Sequence, residues 1–204
     1  MTVPAAPALV LASGSQGRLR LLRDAGFDPE VVVSGVPETN DDGLPTAALA
    51  GALAERKAAA VAAARPDALV LGCDSMLDLD GDALGKPATQ QDAIAAWKRL
   101  AGSEGTLYTG HCLIHGPDSR RASGVAATTI RFGNPTDAEI AAYAATGEPL
   151  SLAGAFSIDG RAAAFVDGID GDPGNVIGVS LPLLRRLLTQ VGVSITDLWR
   201  APSR

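Results

Sequence analysis

Aromatic residues make up only 4% of this 204-residue chain, which argues against the stacking platform that single-stranded nucleic acid needs. Positive charge is scarce too. The 17 Lys and Arg stand against 23 Asp and Glu, a net charge of −6, so broad sequence-independent DNA binding is not expected. A small anionic ligand stays open, because a few local cations suffice for one. The two cysteines, Cys73 and Cys112, make neither a disulfide framework nor a CxxC pair. Each lies in an apolar, strand-like run and reads as a reduced, buried thiol. No apolar run reaches the roughly 18 residues of a spanning helix. No charged segment followed by an apolar core marks the N-terminus as a signal peptide. These absences predict a cytoplasmic protein with no nucleic-acid or membrane partner. The two histidines, His111 and His115, lie four apart on a predicted strand, roughly 13 Å between Cα atoms, too far to chelate one ion.

What the chain has is a large apolar share, 47%, and a length that suits one domain over residues 1–204. A chain of this size buries on the order of 70% of its extended-chain surface. Residues 8–12 read as a buried strand, followed by a helix over 18–25 that closes at Gly26. Residues 29–34 are β-rich, and 46–65 are helical by propensity. Residues 68–73 form a second buried strand ending in Asp74-Ser75, and 78–82 a hairpin turn with Asp-Gly at its tip. Capping boxes at Thr89/Asp92 and Thr136/Glu139 open two helices, the second closing at Gly147. Strands are expected at 106–115, 122–132, 153–158 and 162–166. Pro182 suits the first position of a last helix reaching about 191. Alternating strands and helices, with adjacent strand pairs, indicate an α/β fold with a mixed sheet and flanking helices.

Chemistry concentrates in three loops. Ser13-Gly14-Ser15-Gln16-Gly17-Arg18 leads from a strand into a helix, exposing backbone N–H groups at the positive end of the helix dipole. That is an anion site with phosphate as its usual occupant. Ser13 and Ser15 add hydroxyl donors, and Arg18 a forked cation. An ordinary turn with a solvated Arg is the alternative. The loop has neither the P-loop form nor GxGxxG. Asp74, read at a strand's carboxyl end, is placed to hold a divalent cation or take a proton from water; capping a turn is its other reading. Lys86, held extended by Pro87, can reach a phosphate; a solvated loop lysine is its other reading. Glu38 and Lys57, each taken alone, read as surface charge. The 170–175 turn carries two carboxylates and could be a metal or ligand loop, though turn chemistry is the better explanation. Asp78, Asp80 and Asp82 lack the remaining ligands of a calcium loop. No Ser–His–Asp or Cys–His system is visible, which leaves carboxylates and metal-bound water as the route to hydrolysis.

The chain resembles the Maf family of nucleoside triphosphate pyrophosphatases from Leu9 to about Leu188. The stretches that carry the likeness include Leu-Ala-Ser-Gly-Ser-Gln-Gly-Arg (11–18), Val-Pro-Glu (36–38), Leu-Ala-Glu-Arg-Lys-Ala (53–58), Gly-Cys-Asp-Ser (72–75), Leu-Gly-Lys-Pro (84–87), Ala-Gly-Ala-Phe-Ser-Ile (153–158) and Gly-Asp-Pro-Gly-Asn-Val-Ile-Gly (171–178). The resemblance implies a two-lobed fold around a cleft, like inosine triphosphatases. It implies cleavage of a natural or modified nucleoside triphosphate between the α and β phosphates, with a divalent cation, Mg²⁺ or Mn²⁺. Asp74 then matches the proton acceptor, and Ser13, Arg18, Glu38, Lys57 and Lys86 match the phosphate- and metal-handling set, with Glu38 and Asp74 toward the metal. A homodimer is usual for the family. Where the family commonly has Ser-Pro-Arg-Arg, this chain has Ser15-Gln16-Gly17-Arg18; Ser75 and Asp159 also depart from the pattern. Those places are tied to base choice, so base preference is open, and Asp159 suits a base that presents hydrogen-bond donors. Two other readings compete. A sugar-nucleotide-type nucleotidyltransferase would need an acceptor, and a nucleotide-binding regulator of cell division would bind without releasing pyrophosphate.

Overall fold

A computed structural model describes residues 7–39 and 43–200. Their strands form one mixed sheet: β1 (Leu9–Leu11), β2 (Glu30–Val31), β3 (Leu69–Leu79), β4 (Asp82–Leu84), β5 (Glu104–His115), β6 (Arg120–Phe132) and β7 (Val166–Asp170). The order is β2-β1-β3-β5-β6-β7, with β4 paired to β3. β1 runs parallel to β2 and β3, and the remaining pairs are antiparallel. The helices are α1 (Gln16–Asp24), α2 (Thr46–Ala62), α3 (Gln90–Leu100), α4 (Asp137–Ala145), α5 (Pro173–Ile177) and α6 (Leu181–Gln190). None of the described helices is long and apolar enough to cross a membrane.

The long strands β3, β5 and β6 run through two lobes with separate packing. In the first, Leu19, Leu22, Leu184 and Leu188 from α1 and α6 pack on Leu69, Leu71 and Leu113 of the sheet. On the opposite sheet face, Ala54, Ala58 and Val61 of α2 cover Val70 and Cys112. The second lobe is aromatic: Trp97 meets Phe132, Tyr143 and Phe165 edge to face, with centroids 5.5–5.9 Å apart. Both capping boxes form with both reciprocal bonds, at Thr89/Asp92 and Thr136/Glu139.

β3 continues past the point where a strand is expected to stop. It runs on to Leu79, so Asp74 sits in mid-strand rather than at a carboxyl end. The polar Asp74-Ser75 pair looks like a terminus, but Leu77 and Leu79 resume the buried alternation, and β5 pairs with β3 from Leu69 to Asp78. β1 covers β3 only at 69–71, and β4 only at 77–79. Between them, residues 72–76 present an edge with no strand beside it among the described residues. That gap lies between the lobes.

The expected strands at 153–158 and 162–166 are instead 3-10 turns, Ala153–Ala155 and Arg161–Phe165. Gly154 and Ala155 both take positive φ, and the Trp97 indole donates to the Ala155 carbonyl, so a buried hydrogen bond decides the local path. The β-rich run at 29–34 pairs only at Glu30–Val31. α6 begins at Leu181 with Ser180 as its cap, which puts Pro182 one position later than expected.

α2 lies unusually close to the sheet. A Cβ on Gly72 would stand 2.3 Å from the Ala54 carbonyl oxygen, and one on Gly110 would stand 2.1 Å from that of Ala50. The helix is alanine-lined where it touches, so backbone rests on backbone. Gly72→Ala should therefore lower stability by about 2–3 kcal/mol, because a helix carbonyl cannot move aside as a side chain can. Gly85→Ala, with open space around it, should change stability by less than about 0.5 kcal/mol. Urea midpoints of the two variants check this, and equal midpoints would contradict the close approach.

Candidate functional site

The gap in the sheet is the floor of a cleft of about 810 Å³. Ser13, Ser15, Arg18, Glu38, Lys57, Asp74, Ser75, Lys86 and Asp159 all line it. The structure thus gathers every residue that sequence reasoning singled out for the site, from segments up to 146 positions apart. Asp74 and Ser75 point to opposite sheet faces, as neighbours on a strand must. Asp74 meets Lys57 on the α2 side, and Ser75 meets Arg18 on the other.

On the Arg18 side the loop is built as expected. Ser15 caps α1, its hydroxyl oxygen accepting the Arg18 backbone N–H. Ser13 Oγ accepts from Ser15 N–H and from Arg18 Nη1 at 2.9 Å. Arg18 also donates from Nε to the Gly178 carbonyl at 3.0 Å and from Nη2 to Ser75 Oγ at 2.9 Å. A guanidinium has five donors, so two remain for a ligand, on a side chain locked by three bonds. Gly178 has φ +120°, and a Cβ there would come within 2.7 Å of Arg18 Nε; only glycine lets the arginine lie flat on this turn. Ser75 Oγ is itself 2.9 Å from Thr109 Oγ1, which donates to the Asn175 carbonyl.

On the α2 side, charges alternate from the interior outward. Lys57 Nζ bonds to Asp74 Oδ1 and, at 2.6 Å, to Glu38 Oε1; Glu38 Oε2 then meets Lys86 Nζ at 3.1 Å. Asp74 and Lys57 are only 4% and 6% exposed, while Lys86 stands half in solvent. Burial raises the Asp74 pKa, and although Lys57 and Arg18 oppose this, the net direction is up. For Glu38 burial also raises the pKa, but its contacts with Lys57 and Lys86 outweigh it, and the net direction is down. The inner carboxylate is thus the more basic of the two. Among the described residues no three His, Cys, Asp or Glu side chains converge as a ready-made metal cage. Two carboxylates that already share one cation suit an ion such as Mg²⁺, which takes one or two carboxylates and completes its shell with phosphate oxygens and water.

At the far end of the cleft, Asp159 accepts from Ser157 Oγ and pairs with Arg20 across the lobes. Sequence reasoning missed Arg20, Ser157, Thr109 and Gly178, whose roles come from contacts across the fold. The 170–175 turn is structural: Asp172 caps α5 by accepting from Gly174 N–H, and Asn175 is buried, donating to the Leu107 carbonyl and Thr128 Oγ1. The hairpin at 78–82 is likewise a turn, closed by Gly81 N–H on Asp78 Oδ1. Burial pushes the Cys73 thiol up to about 12, so it has no nucleophilic character at neutral pH.

Residues 8–191 match the protein family described as Maf-like protein. A curated relative from Streptomyces avermitilis is 60% identical over 94% of each chain, and one from Streptomyces coelicolor is 61% identical over 94% of each. A third, from a Mycobacterium species, is 50% identical over 94% of this chain and 97% of its own. All three carry the name nucleoside triphosphate pyrophosphatase.

Removing Lys57 should expose how tightly it is tied to Asp74. Lys57→Met strands a buried carboxylate and should cost about 3 kcal/mol of stability near neutral pH. Without its lysine Asp74 binds a proton more readily, so the deficit should shrink as pH falls and grow as it rises. Asp74→Asn in the same chain should recover much of the loss. Denaturant unfolding of parent, single and double variants at several pH values checks this; a pH-independent deficit would contradict it.

Proposed function

The chain belongs to the Maf-like family, and we propose that it is a nucleoside triphosphate pyrophosphatase whose chemistry runs between Asp74 and a cradle of Arg18, Lys57 and Lys86. Water adds to the α phosphorus, the bond from that phosphorus to the α–β bridging oxygen breaks, and a nucleoside monophosphate and pyrophosphate leave. The observation that carries this assignment of roles is the convergence of three cations and one basic, buried carboxylate on a single cleft.

Asp74 accepts the proton of the attacking water. Its raised pKa suits the task, since a more basic carboxylate takes a proton more readily, and Lys57 opposes the rise by favouring the charged form. Arg18 offers its two remaining N–H groups to phosphate oxygens, with the serine hydroxyls and the α1 N-terminus beside it. Lys86, released from Glu38, meets the polyphosphate as a point charge. A divalent cation, Mg²⁺ or Mn²⁺, would be held by Asp74 and Glu38 and would supply charge neutralisation at the phosphates. Asp159 and Ser157 lie at the base end, where a base presenting donors would compete with Arg20 for the Asp159 carboxylate. The reading treats the chain as one working unit, because both lobes supply cleft residues, and sets it among cytoplasmic nucleotide pools.

Asp74→Asn should lower kcat by about 10²–10⁴-fold while changing nucleotide affinity measured without metal by less than about threefold. Arg18→Ala and Lys86→Ala should instead weaken both affinity and turnover. In the parent enzyme kcat/KM should fall on acidification with a midpoint above the 3.8 of an ordinary aspartate, because a raised pKa means protonation, and loss of the base, begins at higher pH. Pyrophosphate release measured against pH checks this, and near-parental turnover of Asp74→Asn would remove Asp74 from the role.

A further inference from the structure

His111 lies within the sheet, away from the cleft wall, fully buried on β5. Its ring bonds at both nitrogens. Nδ1 is 3.0 Å from the Thr109 carbonyl, which can only accept. Nε2 is 2.8 Å from the Ser180 backbone N–H, which can only donate. Those partners allow one form of the ring, the neutral tautomer with its proton on Nδ1. A charged ring would set N–H against N–H. Burial favours the same form: aided by Arg18 and opposed by the Thr109 carbonyl and Asp172, it brings the pKa down to about 4.

Ser180 ends the three-residue strap 178–180 that joins α5 to α6. The other end of that strap is Gly178, whose carbonyl receives Arg18 Nε–H at 3.0 Å. Two residues along β5, Thr109 shares the face of His111 and bonds the Ser75 hydroxyl, which receives Arg18 Nη2. One strand therefore supports the guanidinium at two points, Thr109 through Ser75 and His111 through the strap. We propose that His111 is a positioning residue for Arg18, fixing the 178–180 strap so that the Gly178 carbonyl holds the guanidinium in its phosphate-facing orientation. This rests on the reading of Arg18 as a polyphosphate anchor.

The test measures binding of inorganic tripolyphosphate with magnesium by calorimetry, so that turnover plays no part. His111→Phe removes the acceptor for Ser180 N–H and should weaken binding about tenfold in the parent, but by less than about twofold when Arg18 is already alanine. His111→Gln, whose amide oxygen can accept that N–H, should bind within about threefold of the parent. Parental binding by His111→Phe, equal losses with and without Arg18, or a Gln variant as weak as Phe would each overturn the role. Near-ultraviolet circular dichroism shows whether each variant is folded; where Phe is not housed, His111→Met carries the same expectation. A parent that does not bind tripolyphosphate, or an Arg18→Ala variant that binds it as the parent does, would instead overturn the anchor reading itself.

Discussion

One buried contact, the ammonium of Lys57 against the carboxylate of Asp74, sets the terms for the cleft. Either charge alone would be costly at this depth. Together they are tolerable, and the net effect on the Asp74 carboxyl is a raised pKa, a stronger base than an ordinary aspartate. The pairing depends on how near α2 lies to the sheet. Gly72 and Gly110 lack the Cβ atoms that would hold the helix off, and alanines on the helix complete the close fit. The same pairing depends on the gap in strand cover over residues 72–76. A longer β1 or β4 would bury that edge and leave the carboxylate without access to ligand.

The opposite face of the strand carries the complementary half. Arg18 is fixed by Ser13, Ser75 and the Gly178 carbonyl, so its free donors are oriented before any anion arrives. Preorganised cations stabilise charge without reorganising during the reaction. Asp74 and Ser75, consecutive residues on opposite faces, are thus the point where the two halves meet. The long strands that both lobes share keep the halves in register.

The serine-rich loop and the two capping boxes are legible in the sequence, because turn chemistry and helix caps are local. Glu38 and Lys57 were weaker signals: each alone looks like surface charge, and only the fold turns them toward Asp74. The extent of β3 is not legible because Asp74-Ser75 interrupts the apolar run, while pairing with β5 carries the strand past it. The apolar composition of 153–158 and 162–166 suits strands, but a bond from Trp97, 58 positions earlier, holds Ala155 with positive φ, and 3-10 turns form instead. Arg20, Thr109 and His111 carry no local signal, since each works through a partner far along the chain.

The most direct measurement is a carbon-13 NMR titration of the aspartate side-chain carboxyls in the ligand-free protein, with Asp74 assigned by its absence in Asp74→Asn. The expected result is a midpoint for Asp74 above the 3.8 of an ordinary aspartate, moving higher still when Lys57 is replaced by Met. A midpoint at or below 3.8, or one that ignores the loss of Lys57, would contradict a buried base held ionised by its lysine.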